Sequence, residues 1–274
     1  RRYGEWFSHA FKMRKPAEWF HEMDLYAGLG IGDAKGIAEN KEKIRGQSDD
    51  SISPIEESST FTKPRPEYFT YYSELPLIYL GNYLDIIEWA MYWQGMVPND
   101  VHEVDGTYHF RSDLGGAPAM QEGVKLLHKI GRRIMFYIAS VSVRKDSDLF
   151  KGTRLDDWIC MEKPGKMFDI GYPEGVSMCF GYKPRQDHVA QTCKRILQES
   201  GADGIRLDEF GGPGYTCYNP AHHHESPYDG IKWGLEFLRK VRKAMDEVNP
   251  DAILMTESHW DMTHLYTDAG GLQM

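Results

Sequence analysis

The chain has 274 residues, a formal net charge of -9, 41% hydrophobic and 27% charged residues. That length fits one large globular domain or two small ones, and the acidic balance excludes a broad cationic surface for nucleic acid. Aromatic residues reach 13%, with 7 Trp and 16 Tyr, which suits clefts that stack on sugar rings and large cores alike.

Arg1 to Lys15 is basic and aromatic, with Trp6, Phe7 and Phe11 at helical spacing, and predicts a lead-in helix stopped by Pro16. A first strand is expected within Met23–Leu29. Residues 31–66 are polar and aperiodic and predict a long insertion, and Tyr68–Leu84 suits a helix interrupted by Pro76. Asp85–Trp93 predicts a strand. A helix with Met120, Val124 and Leu127 on one face follows, closed by Gly131. Arg133–Ala139 is the next strand, and the long stretch Ser140–Pro184 suits a functional loop. A helix bearing Val189, Cys193, Ile196 and Leu197 ends at Gly201. The strand Gly204–Asp208 breaks into the glycine-rich run Gly211–Gly214. A helix marked by Ile231, Leu235, Leu238, Val241, Met245 and Val248 ends before Pro250, and Asp251–Glu257 is a further strand.

Strands alternating with amphipathic helices imply a parallel sheet. No Gly-rich fingerprint suits a dinucleotide fold. Acids at strand ends followed by long loops point to an α/β chain of the (β/α)8 TIM-barrel type. Five strands can be counted, so the expectation is the N-terminal five or so βα units, with an open sheet. The organisation expected is a lead-in at 1–16 and a partial barrel catalytic domain at 17–274. No apolar run approaches a membrane span and no signal peptide is visible; the chain opens at Arg1 and reads as a piece of a longer protein.

The strand Gly204-Ile-Arg-Leu-Asp208 organises the rest. Alternation sets Gly204, Arg206 and Asp208 on one face and the apolar Ile205 and Leu207 on the other. Glu257 ends the next strand. Two carboxylates at neighbouring strand tips suit glycoside hydrolysis, in which one attacks or activates water and the other protonates the leaving oxygen. Neighbouring strands favour the shorter separation, and so retention of configuration. Arg206 favours the charged form of Asp208, which fits a nucleophile, while Glu257 lacks an adjacent cation and suits the acid. Glu209 should point away from the pocket and is the second choice for the acid. Trp89, Trp93 and Tyr137 either line a sugar subsite or pack the barrel core. His259 and Trp260, beside Glu257, are candidate substrate contacts.

The four cysteines, Cys160, Cys179, Cys193 and Cys217, lack CxxC spacing, which argues against a zinc ribbon or a thioredoxin motif. Cys193 reads as a plain core thiol. The run His222-His223-His224-Glu225 offers metal-ligand chemistry. Consecutive histidines diverge, however, and metal motifs space them by three or four on a helix, so the expectation is a solvated or substrate-facing loop with no metal and no cofactor.

Gly204-Ile-Arg-Leu-Asp208 resembles the Gly-x-Arg-x-Asp strand of the alpha-amylase superfamily. That resemblance implies that Asp208 is the nucleophile and that Glu257 stands where the acid is found. The upstream order is similar to that of alpha-galactosidase-like clans of barrel glycosidases: an aromatic strand, the Met120–Leu127 helix, the Arg-Arg-Ile-Met-Phe-Tyr strand and the Gly-Ala-Asp-Gly strand. The likeness covers Asp85 to Trp260. A histidine at amylase-like spacing after Asp208 is absent, and the third acid expected late in such barrels does not occur. The resemblance implies a glycoside hydrolase with a carbohydrate substrate; the acidic balance and the lack of a long apolar run lead to the expectation of no nucleic-acid or membrane partner. Two rivals stay open, a non-catalytic or degenerate sugar-binding barrel and a metal-dependent barrel enzyme using the histidines.

Overall fold

A computed structural model describes residues 6–7, 9–23, 26–30, 86–90, 93, 105–112, 115–129, 131–169, 171, 173–210, 216–258 and 260–270. The expected insertion at 31–66, the Tyr68–Leu84 helix, His259 and the glycine run 211–214 lie outside them. The main sheet holds β1 (Tyr26–Gly30), β2 (Ile86–Ala90), β3 (Arg133–Ala139), β8 (Gly204–Asp208), β9 (Ile253–Thr256) and β10 (Ala269–Gly270). Every pairing is parallel and the spatial order follows the chain, each strand joining beside its predecessor. That monotonic order is how a (β/α)8 barrel grows, whereas a doubly wound sheet reverses direction at a switch point. Among the described residues nothing pairs β1 with β10, so the sheet is open and the fold is part of a barrel. It contains one strand more than the five expected. The addition, β10, has two residues and no sequence signature of its own.

Three helices cover the outer face: α2 (Gly116–Lys129), α3 (Lys183–Ser200) and α4 (Gly230–Asp246). Each is amphipathic with a buried stripe, for instance Val189, Cys193, Ile196 and Leu197 on α3 and Phe237, Leu238, Val241 and Met245 on α4. These stripes meet Ile134, Phe136, Ile138, Ile205, Leu207 and Leu254 from the strands in one core. Gly201 ends α3 in the left-handed conformation at φ 72°, and its N–H reaches the Leu197 carbonyl. Cys193 is fully buried in that core and burial pushes its thiol up to about 12, in keeping with an inert packing residue. No helix among the described residues is long and apolar enough to cross a membrane.

The inner face is built in layers. Register places Met135, Gly204 and Ile253 at one level, and Tyr137, Arg206 and Met255 at the next. Residues 6–7 and 9–10 are helical, and the short helix α1 (Glu18–His21) follows Pro16. Ala17, Trp19, Phe20 and Met23 pack against Met135, Ile253 and Met255, so this segment plugs the lower end of the sheet. Arg14 helps to hold it there, with Nε 2.6 Å from the Asp268 carboxylate. At the same end, Asp203 binds the backbone N–H of Ile134 (2.9 Å), Arg133 Nη1 (2.9 Å) and His128 Nε2 (2.7 Å). The backbone of Asp203 also bonds to Ile134 and Ile253. Gly204 is required by close approach, because a Cβ there would lie 2.6 Å from the Ile253 carbonyl oxygen.

The excursion between β3 and α3 carries its own small sheets: β4 (Ser142–Arg144) pairs with β7 (Gly175–Ser177), and β5 (Met161–Lys163) with β6 (Lys166–Met167), both antiparallel. Phe150, Trp158, Ile159, Val176 and Met178 give it a separate core. The long loop read from the sequence is therefore a folded cap beside the carboxyl end of β3.

Candidate active site

Asp208 is the last residue of β8, and Glu257 directly follows β9. The Glu257 N–H bonds to the Leu207 carbonyl at 3.1 Å, which extends the ladder by one rung. Because Arg206 pairs with Met255 and Leu207 with Thr256, Asp208 and Glu257 fall on the next rung and share the inner face. Adjacent parallel strands lie about 4.8 Å apart. The two acids therefore stand side by side at the carboxyl rim, where barrel chemistry is sited.

The Asp208 carboxylate is buried and held from both sides. Arg206 Nη2 donates to its Oδ1 at 2.6 Å, and the Tyr137 hydroxyl donates to its Oδ2 at 2.5 Å. The guanidinium also lies over the Tyr137 ring, 5.4 Å from its centroid. Burial pushes the Tyr137 phenol far above its ordinary pKa, and the Asp208 charge adds to that effect. Tyr137 thus keeps its proton and acts as a fixed donor. Ser140 Oγ bonds to the Asp208 carbonyl at 2.5 Å and anchors the strand end to the loop after β3.

Glu257 is half-buried, and its carboxyl pKa is raised, first by burial and then by the neighbouring Asp208 charge. Its Oε2 accepts the Glu209 N–H at 2.8 Å. Two acids in unlike surroundings, one gripped by a cation and a phenol and the other pushed toward its neutral form, are suited to different roles.

Glu209 occupies left-handed space at φ 60°, a position that costs of order 1–3 kcal/mol for a residue with a side chain. The strain is held by its carboxylate, which accepts the Val141 N–H (3.0 Å), the Ser142 N–H (2.7 Å) and the Ser142 hydroxyl (2.7 Å). Its side chain is committed to the cap through these bonds, set by the left-handed turn rather than by strand alternation, and this argues against it as a second-choice acid. Its backbone instead holds Glu257.

Two expected sugar contacts are corrected. Trp93 is 0% exposed, its indole N–H donates to the Tyr137 carbonyl at 2.9 Å, and its ring packs on Tyr108, Phe110 and Phe136. It is a core residue, the second of the two roles open to it. Tyr137 is also buried and spends its polar tip on Asp208 rather than offering a stacking face. Trp260 is half-buried at the start of the turn after Glu257 and remains on the rim.

A second cluster lies between the cap and the loop after β8. Cys179, Cys217, His222 and His224 bring one donor atom each to within 4.8 Å of one another. His222 and His224 come from the histidine run expected to be a solvated or substrate-facing loop, and the two cysteines lack any metal-motif spacing in the sequence.

The family profile described as Domain of unknown function (DUF6259) matches residues 109–267. A search of curated proteins returns no match. Among solved structures, a cyclomaltodextrinase is similar over 93% of this chain and 43% of its own, at 14% identity and a TM-score of 0.60. The alpha-amylase from Geobacillus thermoleovorans, complexed with acarbose, is similar over 80% and 48%, at 13% identity and 0.53. The alpha-galactosidase from Thermus thermophilus, complexed with stachyose, is similar over 72% and 38%, at 15% identity and 0.51. At these identities the likeness is one of fold, and it agrees with the amylase and galactosidase resemblance of the sequence. The chain spans 38–48% of the length of these three structures.

Proposed function

The chain belongs to the DUF6259 family, and from its rim we propose that it is the two-acid portion of a glycoside hydrolase that cleaves a carbohydrate with retention of configuration. The observation that carries this reading is the pairing of Asp208 and Glu257 on one rung at the carboxyl ends of adjacent parallel strands. Asp208 is the nucleophile. Arg206 and Tyr137 hold its two oxygens, which fixes its direction for attack on the anomeric carbon. Glu257 is the acid. Burial, and then the Asp208 charge, raise its pKa above the ordinary carboxylic-acid value, which favours the proton-bearing form that passes its proton to the departing glycosidic oxygen. Once the glycosyl group sits on Asp208, Glu257 is ionised and takes a proton from the incoming water, and hydrolysis of the ester restores both groups.

The substrate is a carbohydrate, in keeping with the acarbose and stachyose seen in two of the similar structures. Trp260 remains a candidate sugar contact, and His259, next but one to Glu257 in the sequence, lies outside the described residues. No cofactor takes part in this scheme.

The test uses the full-length protein and a panel of aryl glycosides. Asp208→Asn should abolish turnover on all of them. Glu257→Gln should lose natural glycosides while retaining part of its rate on substrates with good leaving groups, which need little protonation. Unchanged turnover in Asp208→Asn would instead favour a sugar-binding barrel without this chemistry.

A further inference from the structure

The Cys179, Cys217, His222 and His224 cluster is separate from the acid pair and serves no step above. These residues come from two segments. Cys179 follows β7 in the cap, and the other three lie in the loop after β8. We infer that they form a closed, tetrahedral Cys2His2 site for a thiophilic divalent cation, zinc foremost, which fastens the cap to the β8 loop.

The donor geometry fits such an ion. Cys179 Sγ lies 3.3 Å from His224 Nε2, and Cys217 Sγ lies 3.3 Å from His222 Nδ1. Zn–S bonds of about 2.3 Å and Zn–N bonds of about 2.0–2.1 Å at tetrahedral angles put sulfur and nitrogen roughly 3.6 Å apart. The observed separations need only a few tenths of an ångström of adjustment. Both thiols belong to buried residues and both imidazoles to half-buried ones.

The surroundings orient the ligands. His222 Nε2 is 2.8 Å from the Asp157 carbonyl, an acceptor only, so the proton sits on Nε2 and the Nδ1 lone pair faces Cys217. His222 stacks on Tyr182 at 4.7 Å, and His224 on Trp233 at 3.9 Å. A Cβ at Gly181 would lie 2.5 Å from His224 Cε1, so this glycine leaves room for the imidazole. His223 is exposed and left-handed at φ 51°, which turns it outward and lets its two neighbours converge, their rings 5.1 Å apart. Divergence of consecutive histidines therefore removes only the middle one. Asn219 binds the loop to the cap through the carbonyls of Asp156 (2.6 Å) and Ile159 (2.9 Å). Cys160 adjoins the cluster, but its thiol donates to the Thr216 carbonyl at 3.2 Å and it is not one of the four ligands.

Two thiolates and two neutral imidazoles neutralise a divalent cation, and the two thiol protons are released on binding. Four protein donors leave no open position for water, so the ion is structural. It would stiffen the rim on which Asp208 sits without joining the reaction.

The experiment is independent of the glycosidase reading. The protein is purified under reducing conditions without chelator, loaded with zinc, dialysed and assayed for metal by mass spectrometry. About one zinc per chain is expected. Cobalt loading should give thiolate-to-cobalt charge transfer and tetrahedral d–d absorption, a signature that needs no variant. Cys217→Ser and His224→Ala should fall to background metal, while Cys193→Ser keeps it. Wild-type protein without metal after loading would overturn the inference. So would full metal content in the Cys217 and His224 variants, or a native disulfide joining any two of Cys160, Cys179 and Cys217.

Discussion

Asp203 supports a prediction that can be worked from distances alone. Truncation to Ala strands the buried Ile134 N–H, which it binds at 2.9 Å, and a buried unsatisfied donor costs about 1–3 kcal/mol. It also removes the partners of Arg133 and His128. Their side chains are 42% and 33% exposed, so those two contacts are discounted to about 0.2–1 kcal/mol each. The loss should come to about 2–4 kcal/mol, and at roughly 2–4 °C per kcal/mol for a chain of this size the thermal midpoint should fall by about 5–15 °C. Asp203→Asn keeps an acceptor for Ile134 and gives up the charge, so it should lose less than half as much. The assay is thermal unfolding followed by circular dichroism at pH 7. A midpoint within about 1 °C of wild type for Asp203→Ala, or equal losses for Ala and Asn, would refute the reasoning.

Gly204→Ala should destabilise by about 1–3 kcal/mol, because its Cβ would press on the Ile253 carbonyl and push β9 away; chemical denaturation measures this. Tyr137→Phe removes a hydrogen bond to a carboxylate, a contact of about 1.5–3 kcal/mol, and kcat should fall roughly 10- to 150-fold with little change in KM. The raised pKa of Glu257 keeps its proton-bearing form to higher pH than an ordinary carboxylic acid, so activity should persist above the usual carboxylate range and fall as pH rises through that pKa. The pH profile of kcat/KM on an unactivated glycoside should show this basic limb, and Glu257→Gln should erase it.

The parts of the fold legible in the sequence were those with strong periodicity. The stripes of α2, α3 and α4 follow from each helix burying one face, and β3, β8 and β9 stand out as short apolar-rich runs buried on both faces. The Gly-Ala-Asp-Gly run was read as a mark of sugar-processing barrels. In the fold it works at the opposite end from Asp208: Asp203 clamps β3, and Gly204 admits β9. Asp208, Glu257 and Arg206 stood out because strand alternation is a short-range rule and two successive strands end in acids; the β8–β9 register that sets the two acids on one rung is seen only in the fold. Trp93 and Tyr137 were ambiguous because aromatic residues serve cores and sugar clefts equally, and only packing decides between them. The left-handed turn at Glu209 lies beyond any alternation rule. The Cys–His cluster was set aside because consecutive histidines diverge; the left-handed turn at His223, which lets His222 and His224 converge beside Cys217, and the distant Cys179 in the cap come together only in the fold.

The central claim is that Asp208 attacks the sugar. Full-length protein incubated with a panel of 2-deoxy-2-fluoro glycosyl fluorides should accumulate a covalent glycosyl-enzyme, because the 2-fluorine slows both steps while the anomeric fluoride, a good leaving group, speeds the first. Peptide mapping by mass spectrometry should locate the label on Asp208, with none in Asp208→Asn. A label on Glu257, Glu209 or another carboxylate, or turnover of natural glycosides with inversion of configuration, would contradict it.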